Sequence, residues 1–217
     1  MDLVTLYYGF RDKLRAEPLR RKLCRLSLDA RNEMWLTGEL FDHVLESVAG
    51  AEDRLSVFQN LGRGPRRDLV VASNRRITHV FECKIVKNRH RASPFFARDD
   101  VGSQIAELAR QLGWSSAERK NGLADFELRT SGRGGKPYGF LVASYSGIPG
   151  HSDEKLVYDE ARAKKFFSTA QALMDQHGIR FEDKNRAQLE GLIDGHDVTY
   201  GPHVWRVTVK TSLCVAT

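Results

Sequence analysis

The sequence predicts a single α/β domain with a mixed central β-sheet flanked by α-helices. Three observations lead there. The first fifty residues carry helical periodicity, with Met34, Phe41, Val44, Leu45 and Val48 forming one apolar stripe and Gly50 as a stop. Two β-branched segments at 68–73 and 77–86 flank the short turn Asn74-Arg75-Arg76, and the second is apolar on both faces, as a strand covered from both sides must be. From there to the end, helix-like and strand-like segments alternate without repeat or linker.

In chain order, 93–100 reads as a loop around Pro94, and Val101 to Leu112 as a helix closed by Gly113. Residues 129–137 form a basic, Gly-rich turn, and Tyr138 to Tyr145 a strand. A second Gly/Pro loop at 146–152 precedes a helix from Glu154 to Gly178, with Phe166, Phe167, Ala170, Leu173 and Met174 inward. A short helix near Arg186 to Ile193 and a strand from His203 to Leu213 complete the chain. Its 217 residues suffice for one domain with a sizeable core, read here as 1–217 with a helical region at about 1–50 and a hairpin at about 66–87.

Composition narrows the function classes. The chain is 41% hydrophobic and 29% charged, ordinary for a globular protein, which sets disorder aside. Its formal charge of +6 favours a polyanionic partner. One basic cluster runs from Arg11 to Arg25 and reads equally as a solvated face. A second, with Arg63, Arg66, Arg67, Arg75, Arg76, Lys87, Arg89 and Arg91, brackets the hairpin and is assigned to nucleic acid. Three scattered cysteines and seven histidines show no disulfide framework and no zinc spacing. The N-terminus lacks the order of a signal peptide, and no apolar run approaches a membrane span. A soluble cytoplasmic protein without a membrane partner is expected. The phosphate-binding loop of NTPases, Gly-x-x-x-x-Gly-Lys-Ser/Thr, does not occur.

The chemistry concentrates on the 77–86 strand. By alternation Ile77, His79, Phe81, Cys83 and Ile85 share one face, and Thr78, Val80, Glu82, Lys84 and Val86 the other. Glu82 and Lys84 therefore project where neighbours expect burial, and ionised side chains are almost never fully buried unless paired or bound to a metal. The bland alternative is an exposed cross-strand ion pair. Asp68 opens the preceding strand, so closing the hairpin brings it beside the end of the next one. Two carboxylates and an ammonium at one end of a sheet are the minimum kit for metal-assisted phosphodiester hydrolysis, and their hard oxygens suit Mg²⁺ or Mn²⁺. His79 faces away from the acids and reads as a core histidine. The 129–136 turn, with Arg133 and Lys136, reads equally as a phosphate-gripping loop or as a plain flexible turn.

Asp68, thirteen intervening residues, then Glu82-Cys83-Lys84 resembles the signature of the PD-(D/E)XK nuclease superfamily, to which many restriction endonucleases belong. The resemblance spans residues 39 to 84, and Arg67 stands where the eponymous Pro would be. It implies a restriction-endonuclease-like fold and a metal-dependent endonuclease with DNA as the expected substrate. Asp68, Glu82 and the Cys83 backbone carbonyl would hold the metal, and Lys84 would position the attacking water. Glu39 would be the upstream helix acid, and Gln104 a residue touching the active centre. Such folds often dimerise to cut both strands, which makes a homodimer a further expectation. The alternative is a module of the same fold that binds nucleic acid or protein with little or no catalysis.

Overall fold

The computed structural model describes residues 2–28, 33–48, 55–58, 68–73, 76–88, 101–117, 136–147, 158–181, 190–200 and 203–216. The N-terminal region folds into three helices, α1 (Leu3–Arg15), α2 (Leu19–Ser27) and α3 (Glu33–Val48). Asp2 starts α1 by accepting the Val4 N–H at 3.1 Å, and Leu3, Leu6, Tyr7, Phe10 and Leu14 line its buried face at helical spacing. The inward face of α3 is Leu36, Thr37, Leu40, Val44 and Val48. The expected stripe through Met34 and Leu45 is corrected by this: Met34 is 85% exposed and Leu45 40% exposed. The helix is rotated so that the Leu36, Leu40 and Val44 row packs inward.

The sheet begins with an antiparallel meander of β1 (Leu55–Phe58), β2 (Leu69–Ser73) and β3 (Arg76–Lys87). A register shift between Val71 and Ala72 marks a bulge in β2. The next helix, α4 (Val101–Ala117), crosses to β4 (Lys136–Gly147), which runs parallel to β3, and a parallel pair needs such a crossover. Gly113 does not stop α4, which continues to Ala117; glycine is tolerated inside a helix at about 1 kcal/mol relative to alanine.

The C-terminal part contributes α5 (Glu160–Gln176), β5 (Ile179–Phe181), β6 (Glu190–Tyr200) and β7 (His203–Ala216). Asp159 caps α5 by accepting the N–H groups of Ala161 and Arg162 at 2.9 and 3.2 Å, which sets its start. Residues 154–157 of the expected helix lie outside the described residues. Gly178, at φ 69°, follows the helix where a left-handed residue turns the chain into β5. The short helix expected near 186–193 is corrected: from Glu190 the chain is strand β6, and residues 186–189 lie outside the described residues. Gly191 and Gly195 are poor helix formers, and both fall where the pairing with β7 shifts register.

The strand order is β1-β2-β3-β4-β7. β5 and β6 both pair with the edge of β7 that faces away from β4. Among the described residues this mixed sheet has seven strands, and it is covered on both faces. Helices α1, α2 and α3 pack on the side of Leu69, Val71, Phe81, Cys83, Ile85, Phe140 and Val142. Helices α4 and α5 pack on the side of Val86, Leu141, Ala143, Tyr145 and Cys214. No helix among the described residues is long and apolar enough to cross a membrane.

Gly139 of β4 stands beside Glu82 of β3 and Cys214 of β7. A Cβ at this position would lie 2.8 Å from Cys214 Sγ and 3.2 Å from Leu112 Cδ1, so α4 can seat on the sheet only because the side chain is missing. Gly139→Ala should therefore lower stability by about 1–3 kcal/mol, the usual cost of overpacking. Chemical denaturation checks this, with a fall in midpoint expected at unchanged slope.

Candidate active site at the open edge of β3

The hairpin register pairs Leu69 with Phe81, and β2 begins at Leu69. Beyond Phe81, one edge of β3 stays hydrogen-bonded to β4, while the other has no strand beside it among the described residues. Alternate N–H groups on that edge need acceptors, because an unpaired buried N–H costs about 1–3 kcal/mol. Three side chains from three elements supply them in sequence. Cys83 N–H donates to Asp68 Oδ2 at 2.7 Å, and Ile85 N–H to Glu33 Oε1 at 3.3 Å. Lys87 N–H donates to Gln104 Oε1 at 3.4 Å, while Gln104 Nε2 returns a bond to the Lys87 carbonyl at 3.4 Å.

Asp68 thus lies beside the Glu82-Cys83-Lys84 segment, where closing the hairpin was expected to bring it. Glu82 is only 2% exposed and sits on the α4 side, next to Gly139. Lys84 follows on the same face by alternation, and its side chain is 16% exposed. Its ammonium lies 3.2 Å from Glu33 Oε1, so Glu33 joins the open edge to the lysine. Lys84 also acts on Glu107 of α4, whose carboxyl is held below its ordinary value first by a hydrogen bond from Arg110 and to a lesser degree by the Lys84 charge.

Cys83 points to the opposite face, in the core under α1–α3. Burial pushes its thiol well above the ordinary range, and the Asp68, Glu82 and Glu33 carboxylates add to the effect while a hydrogen bond with Thr37 opposes it. Because the thiol is buried in that opposite core, only the Cys83 backbone faces the edge that carries Asp68. The same three carboxylates act on this one residue from the position before β2, from β3 and from α3. His79 is partly buried and stacks against Tyr138 at 5.8 Å, away from the acids.

The resemblance assigned the upstream helix acid to Glu39, but a different residue of α3 meets Lys84. Glu39 Oε1 accepts the Trp35 indole N–H at 2.8 Å and lies 3.8 Å from Lys22 Nζ, which itself covers the Trp35 ring. Glu33, six residues earlier, is the acid at Lys84. A signal for it exists in the sequence: Glu33 lies one turn before Thr37 and two before Leu40, on the inward row of α3.

Of the basic residues assigned to nucleic acid, Arg63, Arg66, Arg67, Arg75, Arg89, Arg91 and Arg133 lie outside the described residues. Arg76 opens β3 and Lys136 opens β4, and Lys87 closes β3. The Arg11–Arg25 cluster is laced with acids: Lys13 meets Glu46, Arg15 meets Asp12, Arg20 and Arg21 meet Glu17, and Lys22 meets Glu39. It is a solvated, largely self-neutralised face. Among the described residues, no group of three or more His, Cys, Asp or Glu is gathered as a metal cage. The chain matches no protein-family model, no curated protein and no solved structure.

Proposed function

We propose that the chain is a Mg²⁺- or Mn²⁺-dependent endonuclease of restriction-endonuclease-like fold, acting on DNA. The observation that carries this reading is the 2.7 Å bond between Asp68 Oδ2 and the Cys83 N–H, which holds a carboxylate against the segment bearing Glu82 and Lys84. The donor set suits a hard cation: carboxylates and a backbone carbonyl, with no thiolate or imidazole required. Mg²⁺ is held by one or two carboxylates plus waters and substrate phosphate, so a cage of three acids is not needed. Asp68 and Glu82 would hold the ion with the Cys83 carbonyl. When bound, it would acidify a water and offset charge developing on the phosphate.

The protein's own groups do the positioning. The Cys83 N–H fixes the orientation of the Asp68 carboxylate by donating to Oδ2. Glu33 holds the Lys84 ammonium at the strand edge, in the part that the resemblance gave to Glu39. Lys84 then orients the attacking water or offsets the negative charge of the transition state. Nucleic acid is the partner, and a homodimer would bring two such centres to opposite strands.

A second reading, a nucleic-acid- or protein-binding module of the same fold with little or no catalysis, draws on one specific feature. Asp68, Glu33 and Gln104 all serve as acceptors along the open edge, a structural task that needs no substrate. One experiment separates the two. The protein is incubated with plasmid DNA, single-stranded DNA and RNA in Mg²⁺, Mn²⁺, Ca²⁺ or EDTA. The nuclease reading expects strand scission in Mg²⁺ or Mn²⁺, none in EDTA, and binding without turnover in Ca²⁺. Full cleavage in excess EDTA, or binding without scission in any cation, overturns it.

A further inference from the structure

Away from the open edge of β3, a cleft of about 280 Å³ lies between α5 and the first half of β7. The registers Tyr145 with Thr208 and Ala143 with Lys210 put its floor on the α4 and α5 side of the sheet. Three cations from two elements line it: Lys164 of α5, and Arg206 and Lys210 of β7. Aromatic faces hold two of them in place. The Arg206 guanidinium lies over the Tyr158 ring at 5.5 Å, and the Lys210 ammonium over the Phe167 ring at 4.9 Å. Tyr158 Oη and Thr208 Oγ1 are hydrogen-bonded to each other in the floor, and the Gly195 N–H donates to Thr208 Oγ1 at 3.3 Å. Gly195 takes φ 59°, and a Cβ there would meet the Arg206 guanidinium at 2.5 Å, so glycine at this point gives the arginine its room.

The charge balance asks for an anion. Glu160 is the one acid among the described residues that line it, exposed on the first turn of α5. Asp197, itself 59% exposed, approaches Arg206 only to 3.9 Å, a distance at which a surface pair holds little. Neither Lys164 nor Lys210 is ion-paired among the described residues. Cations already oriented by aromatic faces lose little freedom when a ligand arrives, which favours binding. The volume lies near the lower end of the roughly 300–1,000 Å³ common for ligand sites, the size of a phosphate with a small group attached.

From this geometry we propose that the cleft is an anion site for a phosphate group, borne by a free phosphorylated small molecule or by a nucleic-acid strand. The proposal does not rest on the nuclease reading, and its test is run in EDTA so that no cleavage is involved. Two probes are titrated into the whole protein, inorganic pyrophosphate and a 5′-phosphorylated single-stranded DNA 12-mer, and then into Lys164→Gln/Lys210→Gln. The parent should bind at least one, and the double variant should bind it at least tenfold more weakly with an unchanged melting temperature. Weakening confined to pyrophosphate identifies a small molecule as the source. Weakening of the 12-mer identifies a strand, and the slope of log affinity against log salt should then fall by about 1.4, at about 0.7 for each phosphate that the variant no longer neutralises. Should the double variant melt lower, Lys164→Gln alone, on the exposed side of α5, gives the reading. No binding of either probe by the parent, or equal affinity in parent and variant, overturns the proposal.

Discussion

Lys84→Ala should slow Mg²⁺-dependent cleavage by roughly a hundredfold or more, the scale on which loss of one preorganised electrostatic group is felt, while leaving divalent-cation affinity nearly unchanged. The ammonium is not a ligand, so its removal spares the carboxylates that would hold the ion. Its position is built in: half-hidden on β3 and fixed by Glu33 at 3.2 Å. Folding should survive, because Glu33 Oε1 still accepts the Ile85 N–H after the lysine is gone. Glu82→Gln should behave differently and abolish cation binding and cleavage together. Single-turnover cleavage and calorimetric cation titration on the two variants check both outcomes. A Lys84→Ala protein that cuts as fast as the parent would overturn the assignment of the lysine.

Much of this site is legible in the sequence, because a strand buried on both faces is written in its alternation. Phe81, Cys83 and Ile85 go to one core and Val86 to the other, which leaves Glu82 as a carboxylate in a buried row. The hairpin then brings Asp68 to Cys83, helped by the register shift between Val71 and Ala72, which no local pattern announces. What periodicity could not settle is rotation about a helix axis. In α3, Met34, Phe41, Val44, Leu45 and Val48 form a plausible stripe, yet the packed row is Leu36, Thr37, Leu40, Val44 and Val48. The two rows share Val44 and Val48, and only the sheet decides between them. That rotation is what brings Glu33 rather than Glu39 to Lys84. Strand β6 escaped notice for a related reason: its glycines interrupt any period, and its partner among the described residues is β7, which follows it in the chain. The open edge of β3 was equally hidden, since nothing local states that β2 starts too late to cover residues 83, 85 and 87.

The open edge also gives Asp68 two separable tasks, as acceptor for the Cys83 N–H and as a charge beside Glu82, and two substitutions divide them. Asp68→Ala removes both. A buried N–H then loses its acceptor, and stability should fall by about 1–3 kcal/mol. Asp68→Asn keeps an oxygen that can accept the same bond but discards the charge. Its cost should be smaller, about 1 kcal/mol, the difference between a charged and a neutral acceptor. Cation binding should not follow stability. Even groups that merely orient a metal ligand are worth about 10- to 100-fold in affinity, so losing the carboxylate should weaken Mg²⁺ or Mn²⁺ binding at least tenfold in both variants and remove cleavage in both. Denaturation midpoints and cation titrations on the parent, Asp68→Asn and Asp68→Ala give the comparison. If Asp68→Asn keeps parental cation affinity, Asp68 acts only as the acceptor that closes the edge of β3, and the metal centre proposed at Asp68 and Glu82 falls with it.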